Sequence, residues 1–262
     1  MPVVRLPVSG LEVVLHAPSG ADDLYLAEEP ARDASVALEL LRRVTRLESG
    51  GGVEWASLPL TDVDAALLAL RRWLIGDVVR AALRCPADGC GALFDISFRI
   101  SEYVEHHAPR RPRRVSRDAE TGWYRLDETG VEFRLPSCED LRAIGTGGGD
   151  TDVTASLATR CIRGGAPSAV ARRRVEAAMQ AIAPSLYGEL WGECFECKRA
   201  VRTFFNPMAY VLEDLAQRAA GIYEDIHLLA HWYHWSEEAI LALPRQRRAR
   251  YTQLAYEERS RG

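Results

Sequence analysis

The chain has 262 residues, 47% of them hydrophobic, enough for a packed core in one large domain or two modest ones. A formal net charge of -4 and a pI near 5.9 give it no general attraction for nucleic acid or for an anionic membrane surface. Residues 1–16 lack the apolar centre of a signal peptide, and no run approaches the ~18 apolar residues that cross a bilayer, so the expected setting is the cytosol, without a membrane partner.

From the amino terminus, Arg5-Leu-Pro-Val-Ser-Gly-Leu-Glu-Val-Val-Leu-His16 reads as a strand or hairpin, and Ser19 followed by Asp22 is a capping-box-like start to a helix through Leu26. A second helix is predicted over 33–47, with Val36, Leu40, Val44 and Leu47 on one face and Gly50-Gly51-Gly52 ending it. Thr61, with Asp64 three residues on, caps a third helix that carries Val63, Leu67, Leu70 and Leu74 to a stop at Gly76.

The sharpest chemical signal comes next and in two pieces, Cys85-Pro-Ala-Asp-Gly-Cys90 and, after 103 intervening residues, Cys194-Phe-Glu-Cys197. Each sits between apolar alternating runs and reads as a hairpin tip. Two tips carrying two thiolates each can close a structural zinc at tetrahedral geometry, and a reducing cytosol favours metal over disulfides. The pieces also look like copies: Phe98 and Phe205 both fall eight residues after the second Cys, and Tyr103-Val104 and Tyr210-Val211 fall thirteen and fourteen after it. The plainer alternative is four independent cysteines packed as small hydrophobes. Arg84, Lys198 and Arg199 suit a centre of formal charge minus two, or serve as strand-edge charges. Cys138 and Cys161 are left as single, buried thiols.

Residues 101–187 then read as an insertion between the two halves. Pro109-Arg-Arg-Pro-Arg-Arg-Val-Ser-Arg117 is read as an exposed linker, its alternative a basic arm for phosphate backbones. Lys198 is the only lysine among 33 basic residues, a bias that discounts arginine clusters as functional signals. Trp123 to Leu135 contains a hairpin about Asp127-Glu-Thr-Gly130, and Ser137 with Asp140 caps a short helix. Gly145-Thr-Gly-Gly-Gly-Asp150 lacks the Gly-Lys-Ser/Thr ending of a phosphate-binding loop and reads as a flexible connection. Helices over 152–162 and 167–182 follow, the latter with Val175, Met179 and Ile182 on one side.

From Met208 the apolar residues Leu212, Leu215, Ala219, Ile222, Ile226, Leu229 and Tyr233 recur at steps of four and three, which predicts one 26-residue helix, ~39 Å long. Its seam packs on the protein's own helices or docks a partner. His227, His231 and His234 fall at metal-ligand spacing, but Leu228 stands where a zinc-protease motif requires glutamate, so they read as surface or partly buried histidines, as do His106 and His107. Ser236-Glu-Glu caps a short helix to Leu243, and Pro244 opens a basic helix through Tyr256.

Arg5-Leu-Pro-Val-Ser-Gly-Leu11, Ala21-Asp-Asp-Leu-Tyr-Leu-Ala-Glu28, the cysteine knuckles, and Tyr233-His-Trp-Ser-Glu-Glu-Ala-Ile-Leu-Ala-Leu-Pro-Arg245 together resemble the base-plate proteins of T-even-type phages and their relatives encoded with contractile tail-like injection systems. The resemblance implies a non-enzymatic base-plate component or assembly factor whose partners are base-plate or tail-hub proteins, with no small-molecule substrate. No catalytic residues are carried over from it.

The expected fold is α+β, mainly helical, with a split four-cysteine zinc ribbon and an inserted small α+β region. The expected division is 1–77, an N-terminal strand plus helices; 78–100 with 188–206, the ribbon; 101–187, the insertion; and 207–262, the C-terminal helices. The metal ligands are Cys85, Cys90, Cys194 and Cys197 and the cofactor is a structural Zn2+, a closed centre with no open position for catalysis. The rival reading is a zinc-ribbon nucleic-acid binder using residues 110–117 and 245–250.

Overall fold

The computed structural model describes residues 1–145, 153–164 and 168–259. Helices alternate with short antiparallel strands, an α+β arrangement, and the residues fall into two compact units.

The first unit comprises Met1–Val4, Glu12–Val53 and Met208–Gly262, so it joins the two ends of the sequence. Strands Val3–Arg5, Glu12–Leu15 and Thr45–Leu47 form a sheet in that order, with Val13 opposite Leu47 and Leu15 opposite Thr45. Helix Gly20–Glu28 starts at a complete capping box, as Ser19 and Asp22 predict. Helix Ala34–Val44 is capped by Asp33, whose side chain accepts from the amides of Ser35 and Val36. It stops at Val44, three residues short of the predicted end. There the β-branched Thr45 turns to extended backbone, bonds the Leu41 carbonyl at 2.6 Å and starts the strand.

The predicted 26-residue helix is two helices, Pro207–Ala219 and Ile222–Tyr233, broken at Ala220-Gly221. The apolar period runs unbroken across the break, so spacing alone could not reveal it; glycine, the poorest ordinary helix former, marks the place. Met208, Leu212, Leu215, Ala219, Ile222 and Leu229 are all buried. Most of the seam is therefore spent inside the protein, with Ile226 and Tyr233 half-buried.

An ionic cluster lies within this unit. Asp23 is fully buried and receives Nε of Arg245 at 3.1 Å together with the guanidinium of Arg248. Arg248, itself buried, also reaches Asp225 at 2.9 Å, and the Thr252 hydroxyl donates to the same carboxylate at 3.1 Å. Gly20 makes room for the approach: a Cβ there would lie 2.7 Å from the Leu241 Cα, and the Gly20 amide bonds the Leu243 carbonyl.

The second unit comprises Arg5–Leu11 and Glu54–Pro207. Its spine is helix Leu60–Leu74, buried along most of its length. Thr61 and Asp64 do not cap this helix as expected. The chain enters it at Pro59, the Thr61 hydroxyl bonds the Pro184 carbonyl at 3.0 Å, and Asp64 is buried instead. Asp62 accepts the amides of Val8 and Ser9 at 2.8 Å each, which fastens the Arg5–Leu11 segment to the helix start. Burial raises the Asp64 carboxyl to about 7.

The inserted residues build a small α+β body. Strands Val115–Arg117, Tyr124–Leu126 and Glu132–Phe133 form a sheet, and Leu126, Phe133, Cys161, Val175, Ala178 and Met179 form its core. The arginine-rich stretch read as a linker thus ends as an edge strand, and it is anchored where the Arg110 amide bonds the Ala181 carbonyl. Asp140 closes the N-terminus of helix Cys138–Gly145 onto Ser137 and takes a two-pronged bond from Arg134 at 2.6 Å. Burial opposes its charge, but Arg134, the Ser137 amide and Arg160 hold its carboxyl well below the usual range. Residues 146–150 of the glycine-rich connection, Asp152, and Pro167 at the expected start of the later helix lie outside the described residues.

Candidate metal centre

Two hairpins of the second unit carry the four cysteines. In the first, Val78–Arg84 pairs antiparallel with Leu93–Arg99; in the second, Gly188–Glu193 pairs with Ala200–Phe205. A helix follows each hairpin, Ile100–His106 and Pro207–Ala219. The order strand, knuckle, strand, helix therefore occurs twice, as the internal likeness predicts.

The knuckles correspond bond for bond at their bases. The Cys85 amide donates to the carbonyl of Ala92, two residues after Cys90; the Cys194 amide donates to that of Arg199, two residues after Cys197. The residue directly after the second cysteine takes left-handed backbone in both, Gly91 at φ 60° and Lys198 at φ 57°. Glycine accepts that conformation freely, whereas lysine crowds its Cβ against its own carbonyl there.

Inward faces of the two hairpins meet. Phe98 and Phe205, the residues at equal distance from the cysteines, lie edge to face at 5.1 Å between ring centres, and Tyr103 stands 5.3 Å from Phe205. The Tyr103 hydroxyl donates to the Leu186 carbonyl at 2.7 Å. Gly192 faces Ile96 of the first hairpin, where a Cβ would sit at ordinary contact distance, 3.5 Å.

All four sulfurs lie within 4.8 Å of one another. Cys85 and Cys197 are 3.7 Å apart and Cys90 and Cys194 3.9 Å, each contact crossing between the hairpins. Tetrahedral Zn–S bonds of ~2.3 Å put sulfurs about 3.8 Å apart, so these spacings fit such an ion and are far longer than a disulfide. Cys85 and Cys194 are buried, while Cys90 and Cys197 are half-buried. Sequence-distant pairs thus come together as the metal reading requires, and the four cysteines could hold a metal ion.

The four thiols sit in unequal surroundings. The Cys197 amide, with help from that of Glu196, brings the Cys194 thiol down to about 7 despite burial. At Cys85 the Ala87 amide also favours the thiolate, yet burial and the neighbouring thiols outweigh it and push the group up to about 12. Cys90 is raised for related reasons, burial and neighbouring thiols outweighing the Ala92 amide. Four thiolates repel one another at this range, and a divalent cation is the charge that would let them coexist.

The single thiols behave as expected: Cys138 and Cys161 are fully buried, and burial pushes them up to about 12 and about 11. His227, His231 and His234 are exposed, and His227 and His231 stack at 6.5 Å between ring centres. Among the described residues the four cysteines are the one group of three or more ligand-type side chains close enough for an ion. Sequence reasoning missed the cluster of Asp23, Asp225, Arg245 and Arg248; the only trace of it is Arg245, Arg248 and Thr252 spaced by three and four on one helix face.

A family model described as T4 bacteriophage base plate protein matches residues 5–164. The matched span includes Cys85 and Cys90 and ends before Cys194 and Cys197. No curated protein and no solved structure matches the chain.

Proposed function

The chain belongs to the T4 bacteriophage base plate protein family, and from that membership we propose that it is a non-enzymatic component or assembly factor of the base plate of a phage tail or phage-like contractile injection system. It works through contacts with other base-plate or tail-hub proteins. The family match carries this reading. Among the described residues no helix is long and apolar enough to cross a membrane, which fits assembly in the bacterial cytosol or a place in the finished particle.

Within that role Cys85, Cys90, Cys194 and Cys197 hold one structural Zn2+. Bound there, the ion neutralises the thiolates and ties residues 78–100 to residues 188–206 across the insertion. The centre has no ligand position left over for water or substrate, which supports a structural part in place of a catalytic one.

The nucleic-acid alternative has three of its nine arginines engaged by carboxylates. Arg248 is buried on Asp23 and Asp225, Arg245 is bound to Asp23, and Arg114 is paired with Glu128. Two measurements test the proposal. Metal analysis of the purified chain is expected to return one zinc per molecule, and co-expressed tail-hub proteins are expected to stay bound in high salt. Loss of those partners, with DNA retention that weakens steeply as salt rises, would favour the alternative.

A further inference from the structure

The outward face of the second hairpin is built differently from every other strand face of the ribbon. Trp191 and Phe204 point away from the metal side and are 65% and 61% exposed; Tyr187 at the base and Phe195 at the tip are 52% and 54% exposed. Tyr187 stacks on Phe204, and Arg202, directly opposite Trp191 in the register, lies over the indole at 5.1 Å. Glu189 and Glu193 lie on the Gly188–Glu193 strand; across from them Arg202 of the return strand stands 3.8 Å from Glu189 and Lys198 of the knuckle 4.0 Å from Glu193. The acids of the face lie on one strand and the bases on the other side of the hairpin, with Trp191 on the first strand and Phe204 on the second.

The first hairpin supplies an internal control. Counted from the cysteines, Trp191 and Arg202 correspond to Ala82 and Asp95, which are likewise paired across the register, and Glu189 and Phe204 correspond to Arg80 and Ser97. The metal, the knuckle bonds and the inward rings thus do not require aromatic residues at these outward positions. Four aromatic side chains more than half exposed amount to roughly 400–500 Å² of mostly apolar surface, at the 150–250 Å² that each can bury. With the charged flanks this approaches the ~800 Å² that each partner gives to a standard interface, and Trp, Tyr and Arg are the residues that dominate such contacts.

We propose that this face binds the same face of a second copy of the chain, forming a twofold dimer. The charge pattern selects both the occupant and the axis. A twofold axis running along the strands, in the plane between two such faces, turns each acidic strand over the basic strand of the other copy and sets Trp191 opposite Arg202 of the second copy, twice. An axis across the strands would set acid on acid and base on base. The face is therefore its own electrostatic complement in one orientation only. The inference stands apart from the base-plate reading, since it needs only the folded hairpin.

Sedimentation of the full metal-loaded chain tests it. At about 100 µM, a hundredfold above a micromolar Kd, the wild type is expected at twice the 29.1 kDa chain mass. The double variant W191A/F204S, which installs the residues found at the equivalent positions of the first hairpin, is expected at the single-chain mass with unchanged circular dichroism and metal content. Arg202→Glu, which makes both strands acidic, is expected to raise the dimer Kd at least tenfold. A wild type that stays at single-chain mass overturns the proposal and leaves the face to a different protein; a dimer that survives both variants overturns it by placing the contact elsewhere.

Discussion

Two regions of this molecule fasten parts of the chain that lie far apart in sequence, and they do so with opposite chemistry. In the ribbon, four soft sulfur ligands from residues 85–90 and 194–197 converge within 4.8 Å, a gathering of potential anions that calls for an added cation. In the unit that joins the two chain ends, Asp23 and Asp225 meet Arg245 and Arg248, so anion and cation are both supplied by the chain. The first tie, on the proposed reading, would depend on metal supply. The second is complete as synthesised, and its cost is desolvation, which is repaid only while every partner is present.

The sharpest way to break this comparison is to remove the metal. Structural zinc contributes ~10–16 kcal/mol in small domains, comparable to the ~5–15 kcal/mol net stability of a whole domain. Cys194→Ser, or a strong chelator, is therefore expected to abolish metal binding and to strip hydrogen-exchange protection from residues 78–100 and 188–206. Helices Gly20–Glu28 and Arg245–Arg259 should keep theirs. A Cys194→Ser chain that melts like the parent with its metal content unchanged would end the ribbon assignment.

The reciprocal experiment is Asp23→Ala, which leaves two guanidinium groups facing a cavity. A loss of about 3–5 kcal/mol is expected in denaturant unfolding, with one metal per chain retained. A loss under 1 kcal/mol would mean that the cluster is ornamental.

A third experiment contrasts the paired Asp23 with Asp64, whose carboxyl is raised to about 7 by burial. In the unfolded chain it ionises near pH 4, so between about pH 4 and pH 7 unfolding releases a proton. Stability contributed by the protonated group falls as pH rises through that window and is gone above it. Asp64→Asn should be close to neutral at pH 4 and stabilising by about 2–4 kcal/mol at pH 8, read from melts at the two pH values. Equal effects at both would show that the group does not titrate there.

The smallest effect distinguishes the knuckles themselves. Lys198 adopts the left-handed backbone that Gly91 occupies in the first knuckle, at a penalty of roughly 1–2 kcal/mol for a residue with a Cβ. Lys198→Gly relieves that strain but frees the unfolded chain, for a net gain of about 0.5–1 kcal/mol in stability with metal content unchanged. A loss of stability would imply that the 4.0 Å contact of Lys198 with Glu193 outweighs the strain.

Much of the candidate metal centre was legible because cysteine is a rare and chemically distinctive residue. Six cysteines, four of them in two short-spaced pairs, leave few arrangements that satisfy thiolate chemistry, and the matched positions of Phe98 and Phe205 already marked two copies of one unit. The ionic cluster was illegible for the opposite reason. With 33 basic and 37 acidic residues, no spacing rule could single out Asp23 and Arg248 as partners. The helix over 208–233 failed in another way: its apolar period runs through the break, and period reports which side is buried, not whether the backbone is continuous.

Local order was the sequence's own work: the capping box at Ser19, the knuckles, the alternation within each hairpin, and the hairpin about Asp127-Glu-Thr-Gly130 all rest on bonds between residues a few positions apart. Tertiary structure alone decided which carboxylate meets which guanidinium, which strand face turns to the cysteine cluster and which to solvent, and where a continuous apolar seam breaks into two helices. Those outcomes depend on desolvation and on contacts between residues up to 225 positions apart, as for Arg248 and Asp23. Such energies exist only once the chain has closed on itself, so no window of the sequence contains them.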